Sequence, residues 1–383
     1  MMFSLKHTTQ KVVFSFLTVA LLLGCRPDET VGSTSVNNGT NPNATFIQLE
    51  VPKGFPEPHL NPENPLTKEG VKLGRYLFFE KKLSGDLTQN CASCHFPEYG
   101  FSDFMPLSVG IDGFETRRNA MPLFNLAWQE FFFWDGRAQS LEEQALEPIT
   151  NPIEMNADWP TVVERLENTP MYTKLFKKAF GTKEITKEKV ARAIAQFERT
   201  LISANSKYDS IKRMTVPEGS LQSLVSFSDT AIERGYVVFN GIGHCNHCHG
   251  ETQTSFLLGA LNDQNTFKSN GLKQNWNNGE RGRAEVVPGA QNVGRMKTPS
   301  LRNVDLTGPY MHDGSIPTLD SLIEFYNTGG NNNPESNPDP DMHNPGVFRN
   351  WRKYQKDGLK AFLKSLTDKK FITDTAFSDP FQR

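Results

Sequence analysis

Histidine is scarce in this chain of 383 residues: there are eight, and none lies between His95 and His244. Cysteine is scarcer still, at five. Charge of one sign is not in excess either. The 41 Lys and Arg are balanced by 43 Asp and Glu, a formal net charge of −2, which excludes a basic surface suited to nucleic acid. Beyond the first 25 residues no apolar run approaches the ~20 residues of a membrane span. No strong alternating pattern, nucleotide-binding loop or nucleophilic triad is present. What is there is the composition of a folded protein, with 28 Phe and 24 Pro. The length suffices for two domains. A mainly α fold with long ordered loops is expected.

The first residues have the layout of an export signal. Lys6, His7 and Lys11 precede the run VVFSFLTVALLLGC, a positive start followed by a short apolar core. The ending LLGC resembles the lipobox of bacterial lipoproteins, in which the cysteine, here Cys25, carries the lipid. An ordinary cleaved signal with an incidental cysteine is the competing reading, but Cys25 has no other evident partner. Residues 1–24 are therefore read as signal and 25–45 as a polar, flexible tether. This places the body in the cell envelope or periplasm, touching a membrane only through a lipid. Arg26 is a weak pointer to the outer membrane.

The remaining four cysteines form two identical patterns, Cys91-Ala-Ser-Cys94-His95 and Cys245-Asn-His-Cys248-His249. One four-cysteine zinc site or a pair of redox disulfides would use the same CxxC spacing. A histidine directly after both pairs, in an exported chain with no cysteine left over, favours two covalent c-type haems. The thiols add to the vinyl groups on one edge of the macrocycle, and the next residue places an imidazole under the iron. His95 and His249 are then the iron ligands. His244 and His247 lie outside the ligand position.

Each motif follows a short amphipathic segment. KEGVKLGRYLFFEKKLS carries Val71, Leu73, Leu77, Phe78 and Phe79 near helical spacing, and DTAIERGYVVFNGIG carries Ile232, Tyr236, Val237 and Phe239. Two cytochrome c-like domains are expected, at 46–205 and 225–372, with a linker at 206–224 and a tail at 373–383. ITKEKVARAIAQFERTLIS reads as a long helix with Val190, Ile194, Phe197 and Leu201 on one face. LKAFLKSL at 359–366 reads as a closing helix.

Longer stretches carry a family resemblance. RNAMPLFNLAW, FFFWDGRAQSLEEQALEPITNPIEM and TPSLRNVDLTGPYMHDGSIPTLDSLIEFYNTGG resemble the bacterial di-haem cytochrome c peroxidases, including the MauG-type enzymes. The resemblance runs from about residue 47 to 370. It implies that the N-terminal haem is the peroxidatic one and that the C-terminal haem handles electrons. It implies Glu154, in NPIEM, as the acid–base residue, with Gln144 and Pro148 lining the same pocket. Trp134 matches a tryptophan between the two haems. Asn119 and the carbonyls of Thr307 and Pro309 match the ligands of an interdomain calcium, whose preference is for neutral oxygens. His312 matches a position near the second haem.

Two departures from the family pattern matter. Typical members carry a histidine after SVG that blocks the resting first haem, and this chain has Ile111 there. His59, Met105 and Met121 are the weak substitutes, so an open first haem is expected. Typical members also bind the second iron through a methionine. Followed without gaps, that position here is Tyr326, with Met296 and Met311 as competitors. A tyrosinate lowers the reduction potential, as in the MauG-type enzymes. Hydrogen peroxide is the implied substrate. A small cytochrome c or cupredoxin is the implied donor in a true peroxidase. The alternative is peroxide-dependent oxidation of a protein or organic substrate. A non-enzymatic electron carrier is the third reading, and a homodimer is in keeping with the family.

Overall fold

The computed structural model describes residues 41–215, 228–250, 266–272, 279–330, 339, 342 and 350–382. The signal, Cys25 and the tether as far as residue 40 lie outside the described residues, as does most of the expected linker. Residues 38–383 form one compact unit. The described part is mainly helical, with one two-stranded antiparallel pair, β1 (Phe267–Lys268) and β2 (Met296–Lys297). No described helix is long and apolar enough to cross a membrane.

The N-terminal half is built on five helices: α1 (Lys68–Phe78), α2 (Leu141–Thr150), α3 (Trp159–Glu167), α4 (Pro170–Phe180) and α5 (Lys187–Arg199). Thr67 starts α1 by accepting a hydrogen bond from the Gly70 amide, the usual polar N-cap. Leu73 and Leu77 of α1, Val162 of α3, Phe176 of α4 and Val190 and Ile194 of α5 share one core. α1 and α5 cross at Gly74, where a Cβ would lie 1.8 Å from the Ala193 carbonyl oxygen. Only a hydrogen atom fits at that crossing.

The C-terminal half repeats the device. α6 (Lys207–Thr215) leads to α7 (Thr230–Asn240), α8 (Cys245–His249), α9 (Leu319–Asn327) and α10 (Lys353–Lys364). α7 and α10 cross at Gly235, where a Cβ would lie 2.0 Å from the Gly358 carbonyl oxygen. Val238, Phe239, Ile323, Leu359 and Phe362 fill the second core. Val237, expected on the apolar face of α7, is instead 62% exposed, because Ile232, Gly235, Val238 and Phe239 mark the face that packs. The expected linker also differs at its start. Residues 207–215 are helical, Tyr208 joins the second core, and Asp209 forms a buried ion pair with Arg302 at 2.6 Å. The expected tail returns to α1: Arg75 donates to the Ser378 and Thr375 carbonyls. Just before it, Phe371 of α11 (Lys369–Ile372) packs on Phe101 and Phe124.

Two loops share a shape that composition does not announce. Phe132 bridges Ala138 and Tyr310 bridges Ile316, each across six residues. In both, the second residue and the glycine take positive φ: Phe133 and Gly136, then Met311 and Gly314. In both, an aspartate accepts from the amide two residues on, Asp135 from Arg137 and Asp313 from Ser315. The third positions are Trp134 and His312, and their rings meet edge to face at 6.3 Å.

Candidate functional site

Each CxxCH motif opens onto its own cavity. The first, of about 470 Å³, is lined by Cys94 and His95; the second, of about 210 Å³, by Cys245, Cys248 and His249. The two cysteine pairs therefore serve separate cavities. None of the four forms a disulfide. Among the described residues no three His, Cys, Asp or Glu side chains converge as a metal cluster. Burial pushes the Cys94 thiol up to about 11 and raises Cys91 further. Serving separate cavities, the four cysteines do not form one four-cysteine site.

The two histidines are held alike. His95 Nδ1 lies 2.9 Å from the Phe101 carbonyl oxygen, and His249 Nδ1 lies 3.0 Å from that of Pro299. A carbonyl only accepts, so Nδ1 carries the proton and Nε2 keeps its lone pair. Burial lowers both pKa values, that of His249 to about 4. Neutral, oriented imidazoles of this kind are what an iron ligand requires. Four thiols and two such rings at two cavities fit two covalent haems.

Glu154 lies in the first cavity with Gln144 and Pro148. Gln144 and Pro148 project from α2, which Ser140 caps by accepting from the Glu143 amide. Asn151 ends the helix, and its side chain donates to Glu154 Oε1 at 2.8 Å. Burial raises the Glu154 pKa, while Arg137 and the Asn151 bond pull it back. Gln144 Oε1 is buried and has no hydrogen-bond partner among the described residues. An acceptor left like this in the same cavity as a carboxyl suits a small hydroxylic ligand such as peroxide.

Ile111 does not line this cavity. Its amide donates to the Glu154 carbonyl oxygen at 3.0 Å, so the loop that could carry a blocking histidine instead braces the turn holding Glu154. His59 is exposed beside Glu130, and Met105 is 42% exposed; neither reaches the cavity. Met121 does line it.

The second cavity holds Tyr326 together with Met296 and Met311. Asn270 Nδ2 donates to Met311 Sδ at 3.1 Å and reaches Tyr326 Oη at 3.5 Å. Tyrosine and methionine thus share one wall. His312 lines the same cavity, His244 stands at its exposed rim, and His247 lies near Lys268 and Asp339. Asn119, Thr307 and Pro309 are also brought together here. Asn119 spends its amide nitrogen on the Met105 and Pro106 carbonyls, leaving its side-chain oxygen for another partner.

Asn119, Pro122, Trp134, Lys297, Pro299 and Ser300 line both cavities. Trp134 Nε1 donates to the Asn119 carbonyl oxygen at 2.8 Å, and the Trp134 carbonyl accepts from the Lys297 amide at 2.7 Å. The indole is locked in the shared wall. Sequence reasoning missed Asn151, Arg137, Asn270 and Lys297. Asn151 and Arg137 sit inside the motifs NPIEM and WDGR, and Lys297 immediately precedes TPSLRN. Asn270 gives no local signal.

The family model for di-haem cytochrome c peroxidase matches residues 68–215. The chain is 38% identical over 286 residues to methylamine utilization protein MauG of Methylorubrum extorquens, covering 74% of each chain. It is 32% identical over 308 residues to cytochrome c551 peroxidase of Nitrosomonas europaea, covering 80% of this chain and 82% of that one. A solved MauG-like protein associated with microbial copper homeostasis superposes with a TM-score of 0.74 at 31% identity, over 88% of this chain and 100% of its own. With both motifs at cavities and this likeness along most of its length, the chain belongs to the di-haem cytochrome c peroxidase family.

Proposed function

We propose that this di-haem peroxidase reduces hydrogen peroxide in the His95 cavity and takes electrons in through the His249 cavity. The observation that carries the reading is Glu154: a half-buried carboxyl of raised pKa, in the same cavity as His95, beside an unpartnered Gln144 oxygen. A haem held by Cys91, Cys94 and His95 supplies the iron and the electrons for O–O cleavage.

The side chains handle the protons. Glu154 would accept a proton from one peroxide oxygen and return it to the other, which would leave as water. Two electrons and two protons per peroxide balance the overall reaction to two waters. A carboxyl whose pKa burial raises suits both halves of this transfer. Asn151 orients the Oε1 atom, and Gln144 has an acceptor for a peroxide O–H. Trp134, in the wall common to both cavities, lies on the electron route. The two halves, 46–205 and 225–372, act as haem domains. Asn119, Thr307 and Pro309 would hold a calcium ion, with neutral oxygens as its ligands. Export, with a lipid on Cys25, places the enzyme at the envelope, facing a small cytochrome or cupredoxin.

Tyr326 supports a second reading. A tyrosinate on the second iron disfavours electron entry from an ordinary cytochrome c. Peroxide would then drive the oxidation of a protein or organic substrate. One relative that is 38% identical is named MauG.

Peroxide consumption by Glu154→Gln is the test. A loss of about 10²–10⁴-fold is expected, with both haems still attached. An unchanged rate removes Glu154 from the mechanism. Fast turnover with reduced cytochrome c selects the first reading, and slow turnover selects the second.

A further inference from the structure

Lys297 is a buried cation whose counter-charge no described residue supplies. Its side chain is 93% withdrawn from solvent, being only 7% exposed. The ammonium donates to the Gln129 side-chain oxygen, a neutral group. Among the described residues no carboxylate pairs with it. Burial alone lowers its pKa, to about 8, and no acidic neighbour pulls the other way. Two other buried cations each meet a carboxylate, Arg302 with Asp209 and Arg199 with Glu142, as does the half-buried Arg118 with Asp135 and Glu280. A buried charge without a partner is costly, and proteins retain one where a ligand completes it.

The position narrows the ligand. Lys297 is in β2, in the wall that both CxxCH cavities share, next to Trp134. A haem brings carboxylates of its own.

We infer that Lys297 is a charge anchor common to both haems: it pairs with a cofactor carboxylate at the shared wall, and its positive charge raises the reduction potential of both irons. This rests on the reading that each cavity holds a haem. A positive charge near an iron favours the reduced state, which carries less positive charge. Burial keeps that effect from being screened by salt. Lys297 would be a positioning and tuning residue, not a catalytic one, since the proton chemistry is at Glu154.

Lys297→Met separates charge from structure. Methionine has similar length, and the backbone bond from residue 297 to the Trp134 carbonyl does not depend on the side chain. The holoprotein is first counted for haem by the pyridine haemochrome spectrum. Fewer than two haems per wild-type chain would defeat the di-haem reading itself, independently of Lys297. Both midpoint potentials are then followed by optical redox titration at low and high salt. The expected result is that both fall in Lys297→Met, that both recover in Lys297→Arg, and that salt leaves the shift in place. A shift at one haem only, or at neither, overturns the shared anchor. If Lys297→Met does not mature, Lys297→Gln is read against the same outcomes.

Discussion

The two cavities are made from the same parts and equipped for different work. Each follows a helix that crosses a second helix at a glycine, and each orients its histidine with one backbone carbonyl. There the likeness stops. The His95 cavity is roomy and carries Glu154, Gln144 and Asn151, with no histidine but His95 among its described lining residues. The His249 cavity is less than half that volume and is crowded by Tyr326, Met296 and Met311. The same motif thus faces a roomy cavity on one side and a more filled one on the other. What distinguishes them is not the CxxCH motif but which side chains the loops deliver to the cavity.

The largest way to break this contrast, after Glu154→Gln, is to change the filled side. Tyr326→Met is expected to raise the reduction potential of the second haem by an amount on the order of tenths of a volt. It should leave the fast reaction with peroxide in place. Optical redox titration reads the first effect and stopped-flow mixing the second. If the potential does not move, Met311 or Met296 already holds that position.

Resting spectra sharpen the same contrast. The ferric protein should give one high-spin and one low-spin signal in electron paramagnetic resonance, from the open and filled sides respectively. Two low-spin signals would show that a side chain closes the first haem and that Ile111 was misread.

The glycine crossings test the likeness instead of the difference. Gly74→Ala and Gly235→Ala each force a methyl group against a backbone carbonyl, which should cost about 1–3 kcal/mol. Denaturant midpoints should fall by similar amounts in both. A fall in one variant alone would show that the two helix pairs do not carry comparable load.

A last test concerns a buried acid in the first half only. Glu198 of α5 is 3% exposed, and one of its oxygens lacks a hydrogen-bond partner among the described residues. Burial pushes its pKa up to about 8 from an ordinary 4.5, with Arg199 pulling it down and Glu142 pushing it up. The folded state therefore binds a proton that the unfolded chain has released. That contribution is full below pH 4.5 and is lost as pH rises through 8. Glu198→Gln should flatten the fall in stability across this window. A parallel pH profile in the variant would assign the slope to another group.

Much of the site was legible because its signals are local. CxxCH needs five consecutive residues, and the helices before it show in their apolar spacing. Glu154, Trp134 and Tyr326 were reached through long ordered motifs, and they occur at the cavities. Local signals failed where a side chain's surroundings come from elsewhere in the chain. Val237 fits a helical stripe as well as Val238 does, and only packing against α10 turns it outward. Tyr208 looked like linker until the second core enclosed it. The paired loops at 132–138 and 310–316 share backbone geometry more than residues, so their correspondence emerges only from the bridges and positive φ angles.

By itself the sequence determined the two CxxCH motifs, the helices that precede them and the family whose haem cofactors they imply. These depend on spacing along one short segment. The tertiary structure alone decided that Trp134 and Lys297 would stand in a wall common to both cavities. It likewise decided that Ile111 would brace Glu154 from outside the cavity, and that the end of the chain would close on α1. Those outcomes depend on contacts between residues far apart in the sequence, and burial and charge pairing settle them only when the whole chain has folded.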